Sequence, residues 1–110
     1  MGIELELHSG RPSYKRSSRE TRLRGSYEHG EALARALGAL DRHGPGKLGR
    51  VDPYGDTLFN EQEAQVARQE AVALAHLCTD GRQRAALLDL AELLAVCAAT
   101  PGSYLWFMGD

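Results

Sequence analysis

Aromatic residues are scarce, only 6% of 110 residues, with one tryptophan and two phenylalanines. Alanine and leucine supply most of the 43% apolar share, which favours packed helices over a sandwich or barrel. The longest unbroken apolar run, Leu93 to Ala99, is far shorter than the roughly twenty residues a bilayer requires, so no membrane span or membrane partner is expected. No large charge imbalance exists either. The formal charge of −2 excludes a global attraction to nucleic acid or to an anionic surface. Cysteine is nearly absent. Cys78 and Cys97 fall, on the helix pattern described below, at a hairpin turn and about sixteen residues into the following helix. That is roughly 24 Å at 1.5 Å per residue, beyond the span of about 7 Å between α-carbons that a disulfide tolerates. Both are read as reduced core thiols, which fits a reducing compartment.

What charge there is lies unevenly. Residues 11–25 hold Arg11, Lys15, Arg16, Arg19, Arg22 and Arg24 against Glu20, a local balance of +5, leaving −7 for the remainder. Such a segment is a solvated basic arm, a steering patch for an anionic partner, or one side of a contact between two copies. Ile3-Glu4-Leu5-Glu6-Leu7 has neither the basic start nor the apolar run of a secretory signal, and a cytoplasmic location is the expectation.

The length suits one domain, 1–110. From Ile3 to His8 apolar and polar residues alternate with period two, the mark of a half-buried strand. Residues 13–25 carry little apolar periodicity and read either as a mobile basic arm or as a short edge strand whose charges discourage aggregation; an irregular arm with some extended structure is the expectation. Ser26 reads as the N-cap of a first helix with the stripe Leu33, Leu37 and Leu40, stopped near Arg42 or His43 by Gly44-Pro45-Gly46. A second helix is predicted over about 61–78 with a small-residue face at Ala67, Ala71, Leu74 and Cys78. A third, capped by Asp80, is predicted over 82–99 and is apolar around most of its circumference. Thr100-Pro101-Gly102 ends it, and Tyr104-Leu105-Trp106-Phe107-Met108 is β-prone. An apolar terminal strand needs cover, and the first strand is its natural partner. The expected fold is α+β, a small sheet pairing the N- and C-terminal strands with about three helices packed on one face.

The most ordered-looking stretch is Val51-Asp52-Pro53-Tyr54-Gly55-Asp56-Thr57-Leu58-Phe59-Asn60, a turn expected to run straight into the second helix. Pro53 presets one backbone angle, Gly55 permits a positive one, and Asp52 or Asp56 can fold back onto nearby amides. Asn60 with Glu63 forms a capping-box variant. Asp52, Asp56, Asn60 and Glu63 also supply oxygen donors at intervals of three or four, a possible hard-cation or acid/base set, although their spacing is not that of an EF-hand. Turn and cap bonding already employs all four, so no metal or other cofactor is favoured. The histidines His8, His29, His43 and His76 lie singly, without a second ligand at zinc spacing. Gly44-Pro45-Gly46-Lys47 fails as a phosphate loop on spacing, and Leu48 stands where a Ser or Thr is needed. The arm with Tyr14 and Tyr27 has the elements of a single-strand nucleic-acid binder but no accompanying motif. Tyr104, Trp106 and Met108 share one side of the last strand. They are expected in the core, the alternative being an exposed face shared with Glu4 and Glu6.

The element Leu48-Gly49-Arg50-Val51-Asp52-Pro53-Tyr54-Gly55-Asp56-Thr57 with Phe59-Asn60 and Gln62, together with Gly25-Ser26-Tyr27 and Phe107-Met108-Gly109-Asp110, resembles short proteins of actinomycete-type bacteria. The resemblance implies a bacterial cytoplasmic setting and carries no activity with it. The expected function is a small protein-binding or regulatory module, of the immunity kind among others. It would engage a protein partner or a second copy through Asp52, Tyr54, Asp56, Asn60, Arg16, Arg19, Arg22 and Trp106. The competing readings are a small hydrolase using Asp52, Asp56 and Glu63, with no catalytic residue identified, and nucleic-acid binding through the basic arm.

Overall fold

The computed structural model describes residues 2–12 and 21–110. Arg16, Arg19 and most of the basic arm lie outside them. Four strands, β1 (Ile3–His8), β2 (Arg22–Ser26), β3 (Asp56–Asn60) and β4 (Tyr104–Gly109), form an antiparallel sheet in the order β2-β1-β4-β3. The two terminal strands are central neighbours, as their apolar sequences require. Three helices, α1 (Gly30–Gly38), α2 (Glu61–Leu77) and α3 (Gly81–Ala99), pack against one face, so the α+β architecture is the expected one.

The core follows from the alternation in the strands. Ile3, Leu5 and Leu7 of β1 and Leu105 and Phe107 of β4 point into the helix layer with at most 1% of their surface exposed. Phe59 of β3 meets Phe107 edge to face, ring centroids 5.0 Å apart. α2 buries only alanines, Ala64, Ala67, Ala71 and Ala75, and packs against α3, whose buried residues include Leu87, Leu90 and Leu94. Small side chains on one helix let large ones on the other interdigitate closely. Cys97 is sealed in this layer and Cys78 lies at the end of α2, both as free thiols.

Several local expectations need correction. Ser26 caps no helix: it pairs with Leu5 as the last residue of β2, and its hydroxyl donates to Asp89 of α3. The arm residues Arg22 to Ser26 become an edge strand because β1 has a free side that they can cover. α1 therefore starts late, at Gly30 after an N-cap position, His29, whose side chain makes no cap bond. It also stops at Gly38, short of Arg42, at a glycine with poor helix propensity. Between α1 and α2 the chain forms a 3-10 turn at Leu48–Arg50 and then β3, since β4 has a second edge that Thr57, Leu58 and Phe59 are suited to pair. The Asp52 turn thus feeds a strand before the helix, and Asn60 ends β3 and caps α2 at once. Gly55 does not adopt a positive φ; among the described residues Gly102 alone does, at 79°.

The capping box at Asn60 is present in full. The Glu63 amide donates to Asn60 Oδ1 at 2.8 Å, and the Asn60 amide donates to Glu63 Oε1 at 3.1 Å. Asp80 accepts from the amides of Arg82 and Gln83, the expected cap of α3.

Candidate binding face

Sheet register places the side chains that do not face the helices. Partners across an antiparallel ladder project to the same side, so the outer face reads as three rows. Asp56, Met108 and Glu4 form the first, Leu58, Trp106, Glu6 and Gly25 the second, and Asn60, Tyr104, His8 and Arg22 the third. None of the described helices covers this side. Tyr104, Trp106 and Met108, expected in the core, instead form a half-buried column down its middle, with Leu58 beside them. Their strand is apolar on both faces, yet only the Leu105 and Phe107 side meets helices.

His8 is the exception to the openness of this face. Its side chain is fully buried, with Nδ1 2.8 Å from the Thr21 hydroxyl, Nε2 3.0 Å from Glu6 Oε1, and the Trp106 ring centroid 5.7 Å away, tilted by 51°. An ionised carboxylate only accepts, so Nε2 carries a proton, and in the neutral ring Nδ1 accepts from Thr21. The second oxygen of Glu6 accepts from the Tyr27 hydroxyl at 2.6 Å and lies 3.5 Å from Arg22 Nη1. Burial alone pushes the Glu6 carboxyl up, but hydrogen bonds from Tyr27 and His8 and the charges of His8 and Arg22 outweigh it, and the net shift is below the ordinary value. The Tyr27 phenol moves up, through burial and then through its bond to the Glu6 anion. Its ring fills the space over Gly25, where a β-carbon would come within 2.7 Å of ring carbons.

Asp56 accepts from the indole Nε1 of Trp106 at 3.0 Å and so fixes that ring from the β3 side. The adjoining turn is held from within by Asp52, whose carboxylate accepts from the Tyr54 amide at 2.9 Å while its own amide donates to the Thr57 hydroxyl at 3.0 Å. It is held from outside by the end of β4. The Gly109 amide donates to the Gly55 carbonyl at 2.7 Å, and a β-carbon on Gly109 would meet the Pro53 backbone at 2.5 Å. Tyr54, at the tip, is 68% exposed.

Asp56 and Trp106 are therefore in contact, and Asp52 and Tyr54 border them. Arg22, on β2, lies three strands from Asp56, about 14 Å at 4.8 Å per strand, and two strands from Trp106. The carboxylates proposed as a metal or acid/base set do not converge: Asp52 turns to Tyr54, Asp56 to Trp106 and Glu63 to the Asn60 amide. Among the described residues no group of three or more His, Cys, Asp or Glu side chains could hold a metal ion. Arg22 and Arg24 are each within ion-pair distance of an acid, Glu6 and Glu92. No described helix is long and apolar enough to cross a membrane.

Sequence reasoning missed the Thr21–His8–Glu6–Tyr27 network. A usable signal existed, because Glu6 and His8 are two apart on a strand and must share a face. Their union with Thr21 and Tyr27 depends on β2 joining the sheet, which the charge-rich sequence hides. Comparison with protein-family models, with curated proteins and with solved structures returns no match to this chain.

Proposed function

We propose that the protein is a binding module of the regulatory or immunity kind, and that its outer sheet face docks a partner protein bearing a basic surface. The observation that carries this reading is the half-buried column Tyr104, Trp106 and Met108 on the side of the sheet without described helices. Aromatic and methionine side chains on a rigid strand lose little conformational entropy on binding and are favoured as interface anchors. The rim explains the choice of a basic partner. Exposed Glu4 and Asp56 flank Met108, with Asp52 and Asp110 at the same end of the sheet, whereas Arg22 is already engaged by Glu6 and Tyr27. The Glu6–His8–Thr21 network lies beneath this face as a fixed support.

Co-expression with the products of the adjacent reading frames, followed by purification and titration of the recovered pair, tests the reading. Trp106 is the sole tryptophan, so its emission reports occupancy of the face directly. Trp106→Ala should weaken a genuine complex by roughly 30-fold or more, as loss of a central anchor does. Asp56→Arg should weaken it further at low salt. A complex whose affinity is indifferent to both changes, and whose formation leaves Trp106 emission unaltered, refutes the assignment.

A further inference from the structure

Away from the sheet, residues 40–49 fold back over α2 and leave a shallow cleft of about 580 Å³, broadly open to solvent. Its walls are Leu40, Pro45, Ala73 and Leu74, with the backbone of three glycines, and its charged lining residues are Asp41 and Glu70. No cationic side chain lines it. Glu70 is tucked under Gly46, where a β-carbon would come within 2.8 Å of its carboxylate oxygen, and accepts from the backbone amides of Lys47 and Leu48, each at 2.9 Å. These bonds pin the loop to α2 and keep the cleft formed. Both are neutral donors. Among the described residues neither Glu70 nor Asp41 has a cation within ion-pair distance.

We propose that this cleft binds a small hydrophobic amine, its apolar body against Leu40, Pro45 and Leu74 and its ammonium group beside Asp41 and Glu70. The volume lies within the range of about 300–1,000 Å³ typical of small-ligand sites, and apolar walls with a few placed polar groups are the usual composition of one. Charge selects among apolar ligands. An ammonium gains from two carboxylates that have no counter-ion among the described residues, whereas a carboxylate ligand of the same shape meets like charge. The proposal is independent of the sheet face and of any partner there.

The test titrates isotopically labelled full-length protein with 4-phenylbutylamine and, separately, with 4-phenylbutyrate, following backbone amide shifts. The amine should produce saturable shifts centred on Gly44, Gly46, Gly49 and Ala73, and should bind about tenfold or more tighter than the acid. Asp41→Asn keeps an oxygen to accept the His43 amide, which donates to Asp41 at 2.9 Å, while removing the charge; it should weaken the amine several-fold and narrow the gap between the two probes. Ala73→Trp fills the cleft from an exposed helical position and should abolish the shifts while leaving the melting temperature near that of the wild type. Absence of saturable shifts, equal binding of amine and acid, or shifts that survive in Ala73→Trp would each overturn the assignment.

Discussion

On the helix side of the sheet Leu5, Leu7, Leu105 and Phe107 are sealed from water, while on the other side the residues that alternate with them are charged, aromatic or half-covered. One backbone thus serves two chemistries. The inner face acts through area removed from water, about 25 cal/mol per Å², and needs little beyond complementary shape. The outer face is organised by directed bonds: Trp106 to Asp56, His8 to Glu6 and Thr21, Tyr27 and Arg22 to Glu6. Burial on the inner side makes the sheet stable. Directed bonding on the outer side holds ring and carboxylate positions, as a docking surface requires.

Neighbours on β4 give the sharpest comparison. Phe107→Ala opens a cavity in contact with Phe59 and should cost about 3–5 kcal/mol, lowering the melting temperature by more than about 10 °C. Trp106→Ala removes a larger ring, but one that is half-covered, and should cost about 1–2 kcal/mol. Paired thermal or urea melts decide. If Trp106→Ala is as damaging as Phe107→Ala, the outer face is a second core rather than a docking surface.

His8 is where the two chemistries overlap, since it has the burial of the inner face and the bonding of the outer. His8→Ala removes a buried ring and takes a partner from both Glu6 and Thr21, and should cost about 2–3 kcal/mol by urea unfolding. The carboxylate beside it sets a pH response. The folded-state pKa of Glu6 lies below its ordinary value of 4.5, so its contribution to stability is present above that value and is lost as pH falls through the lower folded value. Melting temperatures of wild type and Glu6→Gln should converge as the solution is acidified below 4.5 and through the lower folded value, and differ most above it. A gap that is constant with pH would show that ionised Glu6 adds nothing.

Periodicity made the inner face legible in advance. The alternation at Ile3, Leu5 and Leu7, the apolar run at Tyr104 to Met108 and the caps at Asn60 and Asp80 each mark a strand or a helix start by local chemistry, and each of these elements formed within a residue or two of its expected limits. β2 was legible only as one of two readings of the arm, because Arg22, Leu23, Arg24, Gly25 and Ser26 are recruited by an unpaired edge of β1 rather than by propensity. β3, read as part of a turn, was hidden for the same reason. Trp106 could be assigned to one side of its strand with Tyr104 and Met108, but which side the helices would choose is a tertiary matter. It is decided by the greater apolar bulk opposite Leu105 and Phe107.

The cap at Asn60 joins the two faces, since β3 supplies Asp56 and Leu58 to one and Phe59 to the other before α2 begins. Asn60→Ala leaves the amide of Glu63 without its partner and should cost about 1 kcal/mol, seen as a fall of about 4–8 °C in melting temperature. Asn60→Asp, which keeps the accepting oxygen, should restore most of it. An equal loss in both variants would shift the explanation from the cap to the strand.

The smallest expected effect on stability belongs to Tyr54. With 68% of its surface exposed at the tip of a turn whose shape is fixed by Asp52, Thr57 and the Gly109 backbone, its side chain adds little to folding. Tyr54→Ala should change stability by no more than about 0.5 kcal/mol, as exposed substitutions do. That neutrality gives the variant its use. If it also weakens the complex sought through Trp106, the loss cannot be ascribed to unfolding, and the turn belongs to the docking surface. If binding is unchanged while Trp106→Ala abolishes it, the surface ends at Asp56 and the turn serves only to brace the sheet.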